Sequence, residues 1–272
     1  MVRFSRLLVS ATLLASALSV SAQQPESAKQ SQPTPSQPAP RTVSPIPDMS
    51  SEQLEDQGDV LRGQKNFLDA MDFYQAALKK SNTAALHNKA GVCWIQMAHY
   101  GEARKEFELA IKMDKSYPEA YNNLGVTYYQ MRQYAGAVKE YRKAIKLREI
   151  SASFHMNLGS AYFSRKDYND ASREFARALQ IDPMIFEPQA SGGVSVKLAT
   201  QGDRAYFHYT LAKMYGGQGD TQRCRAYLSK ANEEGYPFVK DALKDSGFAA
   251  VRKDPEFVAF VRSLRPPDNT PQ

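Results

Sequence analysis

Residues 121–128 read Tyr121-Asn122-Asn123-Leu124-Gly125-Val126-Thr127-Tyr128. Tyr121, Leu124, Gly125 and Tyr128 stand at i, i+3, i+4 and i+7, so a helix sets all four on one face. A glycine inside a helix costs about 1 kcal/mol relative to alanine, so packing has to compensate. The same glycine recurs at Gly58, Gly91 and Gly159, giving spacings of 33, 34 and 34 residues. Five further columns keep its phase. A large side chain follows three residues on (Leu61, Trp94, Tyr128, Tyr162) and an aromatic nine on (Phe67, Tyr100, Tyr134, Tyr168). Alanine stands twelve on (Ala70, Ala103, Ala137, Ala171), an aromatic sixteen on (Tyr74, Phe107, Tyr141, Phe175) and alanine nineteen on (Ala77, Ala110, Ala144, Ala178). The unit this predicts is a helical hairpin: glycine at position 8 and alanine at position 20 let two helices approach, and aromatics at 11, 17 and 24 fill the space around the contact.

The pattern resembles the tetratricopeptide repeat, a unit of about 34 residues with the signature W-x2-L-G-x2-Y, then A-x3-F, then P. The copies are 51–83, 84–117, 118–151 and 152–185. Pro183 takes the final proline position of the fourth, where Asn82, Lys115 and Glu149 stand in the first three. A degenerate fifth copy spans 205–238, with Leu211, Ala212, Tyr215, Cys224, Leu228 and Ala231 at positions 7, 8, 11, 20, 24 and 27. Between the fourth and fifth copies lies an insert, 186–204, whose stretch 194–198 alternates like a strand. A spacer and a functional loop remain equal readings of it. The resemblance implies an all-α, right-handed solenoid: four clear hairpins, one degenerate, and a helical cap at 239–264. Ser50 with Gln53 fits a capping box at the front. At the back Asp254 caps, Pro255 starts the helix, and Phe257, Phe260, Val261 and Leu264 make one apolar stripe.

Ahead of the repeats, Arg3 and Arg6 precede an apolar run at 7–20, and Val20-Ser21-Ala22 offers small residues for cleavage. The run falls short of the roughly 20 residues that span a bilayer, so 1–22 reads as a secretory signal peptide. The mature chain is then expected to be exported, periplasmic or secreted, and without a transmembrane span. Residues 23–50 hold seven of the 15 prolines among Gln, Ser and Ala, the composition of a semi-stiff linker. The tail 265–272, with three prolines, is expected to fray.

The 272 residues, 42% hydrophobic and 24% charged, are enough to fold, and two cysteines exclude a disulfide-built scaffold. The net charge of +6 is mild for a chain so rich in both signs. Lys139, Arg142, Lys143, Lys146 and Arg148 crowd one helix, but Glu102, Glu106 and Glu108 sit next door, so no uninterrupted basic stripe for nucleic acid exists. No phosphate loop, zinc motif or nucleophile elbow appears. His87, His155 and His208 all fall at repeat position 4; such positions lie about 10 Å apart from repeat to repeat, too far to share a metal. Cys224 occupies the buried small column, whereas Cys93, at position 10, has some chance of exposure. Neither cofactor, metal, catalytic residue nor small-molecule substrate is expected.

In the family, first-helix positions 2, 5, 6, 9, 12 and 13 line a concave groove. The resemblance therefore implies a binding surface made here of Asn88, Asn122, Met156 and Tyr209 at position 5, Asn123 and Asn157 at position 6, and Ile95, Tyr129 and Phe163 at position 12. Amide side chains donate and accept at once, which suits the backbone of an extended peptide; aromatics supply anchor pockets. The competing reading has Asn123 and Asn157 bonding only to neighbouring helices. Chaperone-binding members of the family clamp a terminal carboxylate with Lys and Arg. Here Asn88, Ser153 and Asn157 stand at matching positions, and only Lys89 and Lys213 are cationic. The expected function is a scaffold that binds a protein or peptide segment in the groove; the alternative is cell-wall glycan recognition by its aromatics.

Overall fold

The computed structural model describes residues 46, 48–186 and 201–265. The leader at 1–22, residues 23–45 of the linker, the alternating stretch at 194–198 and residues 266–272 of the tail lie outside the described residues. The first hairpin pairs α1 (Ser51–Gly63) with α2 (Phe67–Lys80), the second α3 (Ala84–Gln96) with α4 (Tyr100–Met113). The third pairs α5 (Pro118–Gln130) with α6 (Tyr134–Leu147), and the fourth α7 (Ala152–Ser164) with α8 (Tyr168–Ile181). The fifth is α9 (Gln201–Gly217) with α10 (Thr221–Glu233). Among the described residues all regular structure is helical.

The glycine column is the contact point of each hairpin. A Cβ added at Gly58 would stand 2.6 Å from the Tyr74 ring, at Gly91 2.6 Å from Phe107, at Gly125 2.6 Å from Tyr141 and at Gly159 2.5 Å from Phe175. The ring at position 24 therefore packs directly against the bare backbone at position 8, which is the packing that offsets the helix cost of glycine. All eight alanines of the two alanine columns are fully buried. The fifth copy solves the same contact differently: Ala212 replaces glycine and Leu228 replaces the aromatic, and both are fully buried in one cluster.

Each first helix ends at position 13 in a Schellman motif. The residue at position 15 takes positive φ in every copy: Lys65 (63°), Ala98 (61°), Arg132 (59°), Lys166 (67°) and Gly219 (78°). The N–H of position 16 bonds the carbonyl of position 11, as in Asn66 to Leu61 (2.9 Å) and Gln133 to Tyr128 (2.8 Å). Only the fifth copy uses glycine, the residue this left-handed turn favours.

Second helices pack against the next first helix through the first four copies. First helices also touch one another, α3 with α5 and α5 with α7, while successive second helices stand farther apart. Helices α8 and α9 are spaced more widely, and Phe186 fills the gap: its ring meets Phe175 and Phe207 edge-on at 5.5 and 6.3 Å, and its carbonyl accepts from the Tyr227 hydroxyl at 3.1 Å. Within the described residues α9 runs from Gln201, so residues 201–204 are helical.

The front is closed by the Ser50–Gln53 capping box, with both reciprocal bonds present at 2.9 and 3.2 Å. At the back, three 3₁₀ turns (Val239–Leu243, Ser246–Phe248, Val251–Lys253) lead to α11 (Pro255–Ser263). Asp254 caps α11 through the Glu256 N–H, and Phe248, Phe257 and Val261 are fully buried. Cys93 and Cys224 are both fully buried and unpaired. That corrects the expectation of exposure at Cys93. Position 10 faces the neighbouring hairpin, in the cluster holding Ala77, Leu86 and Ala90, and burial pushes its thiol up to about 11.

Candidate functional site

The first-helix face changes chemistry along its length. At the front it is charged. Glu55 and Asp59, at positions 5 and 9 of α1, both hold Lys89 of α3 at 2.5 Å. The second oxygen of Asp59 accepts from the Tyr74 hydroxyl (2.7 Å) and from Arg62 (3.2 Å). Burial is the largest influence on Asp59 and acts to raise it, yet the combined hydrogen bonds of Lys89, Tyr74 and Arg62 hold it below the usual carboxylate range. Glu52 and Asp56, at positions 2 and 6, are exposed. Lys89 is thus a structural cation, committed to two carboxylates of its own chain.

The middle carries a ladder of asparagines. Asn123 of α5 donates to Asn88 of α3 at 2.9 Å, and Asn157 of α7 donates to Asn122 of α5 at 3.0 Å. Asn122 in turn donates to Asn123 at 3.3 Å. Position 5 of one copy therefore accepts from position 6 of the next, across three first helices. Asn88, Asn122 and Asn157 are buried and Asn123 is half-buried. The Asn157 Oδ1 is buried without a hydrogen-bond partner. The asparagines bond to neighbouring helices, and Asn123 is the member of the ladder that is not fully enclosed.

The aromatic candidates sit deeper than a groove wall requires. Tyr129 is 7% exposed, Phe163 3%, Tyr209 6% and Met156 4%. Position 12 lies at the seam between consecutive first helices, and the ring turns into that seam. The Tyr129 hydroxyl bonds the Ser164 hydroxyl at 2.9 Å, and its ring leans on Tyr134 at 5.3 Å. Phe163 is enclosed by Tyr168, Tyr206 and Phe207 at 5.2–5.7 Å. Met156 belongs to the cluster shared by α8, α9 and α10. Tyr129 and Phe163 thus tie one repeat to the next and Met156 packs in the core, whereas Tyr209 borders a cavity.

Accessible aromatics appear at the far end instead. Where α8 and α9 spread, a cavity of about 400 Å³ opens beside Tyr168, Tyr206, Tyr209 and Tyr236. Tyr168 meets Tyr206 edge-on at 4.6 Å, and Tyr236 stacks on Tyr209 at 4.5 Å. Lys213, at position 9, pairs with Asp245 at 2.9 Å. Burial, then Tyr206, Asp241 and Asp245, push the Tyr236 hydroxyl up to about 12. The sequence reading missed this cluster because Tyr236 comes from beyond the fifth hairpin and Tyr168 from a second helix; no single column joins them.

The histidines are structural. His87 pairs with Glu106 and His155 with Glu174, each at 2.6 Å, and His208 with Glu234 at 2.7 Å. In each case a first-helix ring is tied to its own hairpin's second half. Among the described residues, no group of three or more His, Cys, Asp or Glu side chains is placed to hold a metal, and no helix is long and apolar enough to cross a membrane. The basic helix α6 is partly neutralised: Lys143 pairs with Glu140, Arg148 with Glu119, and Arg142 lies over the Tyr162 ring at 5.6 Å.

Parts of the chain are similar to known proteins. Residues 99–132 and 128–164 match the TPR repeat family, and 152–184 match the tetratricopeptide repeat. No curated protein matches the chain. Among solved structures, MamA is 21% identical, with 65% of this chain and 93% of MamA covered at a TM-score of 0.46. YrrB, described as a TPR protein with an unusual peptide-binding site, is 17% identical over 79% of this chain and 93% of its own, also at 0.46. The Sgt2 TPR domain from Aspergillus fumigatus is 24% identical over 49% and 87%, at 0.41. Residues 99–184 thus match tetratricopeptide repeats, and the described residues form an array of paired helices.

Proposed function

We propose that this tetratricopeptide array is an exported, non-enzymatic scaffold that holds a segment of a partner protein along its first-helix face. The observation that carries the reading is the asparagine ladder. Amide groups cross three consecutive helices, Asn123 remains half-exposed, and each amide nitrogen has two protons to give. A rail of this kind suits an extended backbone, which offers a donor and an acceptor at every residue. Preformed amides, fixed by their neighbours, lose little freedom on binding, so less ordering cost opposes the contact. Export is supported by the basic, then apolar, then small-residue order of 1–22. Glycan recognition has less support, because Tyr129 and Phe163 keep their faces in the core.

The test is a crosslinked pull-down from cells producing the full chain, wild type against Asn123→Ala combined with Gln130→Ala. Gln130, at position 13 of α5, is also half-buried. Circular dichroism checks that the double variant is folded. Loss of a crosslinked partner supports the reading, and undiminished capture by the folded variant removes it.

A further inference from the structure

The cavity between the fourth and fifth hairpins has a composition that the rest of the face lacks. Tyr206 and Tyr209 stand at positions 2 and 5 of α9, and Tyr168 opens α8. Tyr236 closes the group from the turn after α10, where Gly235 (φ 86°) reverses the chain in a second Schellman motif, Tyr236 N–H to Ala231 carbonyl at 2.8 Å. The rings lie at mixed angles: Tyr168 and Tyr206 at 79°, Tyr206 and Tyr236 at 32° with centroids 5.8 Å apart. Tyr168, Tyr206 and Tyr236 are each half-buried, so part of every ring remains open to the cavity.

The acids are unevenly matched. Asp245 is occupied by Lys213 and by the Gly247 N–H at 2.8 Å. Asp241 is exposed, lies in the cavity lining, and has no ion pair among the described residues. Both carboxylates reach the tyrosine hydroxyls electrostatically, since each helps to raise Tyr209 and Tyr236. A site with several aromatic faces and a surplus carboxylate attracts a cation: ring quadrupoles and the acid act in the same direction. An anion would meet Asp241, while Lys213, the cation in the described cavity lining, is already held by Asp245.

We infer that this cavity receives a cationic side chain, lysine or arginine, from the peptide segment lying along the first-helix face. The inference rests on the groove reading above and adds the chemistry of the partner. The charged front end points the same way: Glu52 and Asp56 are exposed there, and Lys89 is already held by Glu55 and Asp59. A segment with positive charge toward both ends would match the face. The volume, about 400 Å³, admits a long side chain together with water.

The experiment is a selection of displayed random twelve-residue segments on the full chain, followed by fluorescence anisotropy on the capped synthetic peptides that emerge. Selected segments are expected to share a Lys or Arg. Replacing that residue by norleucine or citrulline is expected to weaken binding by about fivefold or more. Asp241→Asn and Tyr206→Leu in the protein should each produce a comparable loss and make binding less sensitive to salt. Asp241 is exposed, so its substitution leaves the fold intact and keeps the test valid if Tyr206→Leu misfolds. Segments selected without a cation, whose binding is lost on Asn123→Ala but not on Asp241→Asn, overturn this inference while the groove reading stands. Failure to select any segment overturns both.

Discussion

The contact of a ring on a glycine makes a sharp prediction about pairs of substitutions. Gly125→Ala adds a Cβ that would stand 2.6 Å from both Cδ1 and Cε1 of Tyr141. Carbon atoms rest at about 3.5–4.0 Å, so the ring has to retreat by about 1 Å. Tyr141 is 1% exposed, and interiors packed to crystal density yield little. Overpacking of this kind costs about 1–3 kcal/mol, whereas alanine in place of glycine gains about 1 kcal/mol of helix propensity. The net expectation for Gly125→Ala is a loss of about 0–2 kcal/mol. Tyr141→Leu alone leaves a void over the bare glycine and loses about 2–3 kcal/mol, within the large-to-small range. Together the two substitutions recreate the Ala212–Leu228 arrangement of the fifth hairpin, where the same positions are fully buried. The double variant should therefore be more stable than the sum of the singles predicts, by at least about 1 kcal/mol. Urea unfolding followed by far-ultraviolet circular dichroism measures all four proteins. Two results would refute the reasoning: single effects that add within about 0.5 kcal/mol, as independent sites do, or a Gly125→Ala variant that gains stability.

Other consequences follow from single positions. Ala98 sits at φ 61°, so Ala98→Gly should stabilise the chain by about 0.5–1 kcal/mol, and Gly219→Ala at φ 78° should destabilise it; thermal midpoints moving in the opposite senses would contradict the turn assignment. Asn122→Ala strands the Asn157 amide, which is 3% exposed, and should cost about 1–3 kcal/mol. Asn123→Ala strands Asn88 nearer the surface and should cost less; equal losses in denaturant titrations would count against the ladder. Asp59 is held low in the folded chain, the Lys89, Tyr74 and Arg62 bonds outweighing burial. Its contribution is therefore complete above the unfolded-state pKa of about 4 and is lost as pH falls through the lower folded-state value. Asp59→Asn should make stability flatter than wild type below about pH 4, and an unchanged acid limb would remove that role.

The hairpins were legible because glycine, alanine and the aromatics each serve one contact, and that contact recurs in sequence at a fixed phase. The fifth copy stayed readable despite losing its glycine, since Ala212 and Leu228 still mark the small and large partners. The left-handed residue at position 15 is hidden in the sequence: Lys65, Arg132 and Lys166 are cations and Ala98 is not, none of them marks such a turn, and only Gly219 carries its composition. Here the Schellman hydrogen bonds, not the residue, set the conformation. On the candidate face, the asparagines were visible as positions but their pairing was not, because a 5-to-6 bond between copies joins residues 35 apart. The aromatics at position 12 were assigned to an open wall because sequence gives the face of a helix without the distance to the next one. The tyrosine cavity needed the wider spacing of α8 and α9 and the cap beyond them, neither of which the repeat phase encodes.

Hydrogen–deuterium exchange on the full chain, with and without a bound partner segment, tests the central claim most directly. The account predicts slowed exchange in the first helices, α3, α5, α7 and α9, with the second helices α4, α6 and α10 unchanged. Slowing confined to α4, α6 and α8, with the first helices exchanging as before, would contradict it.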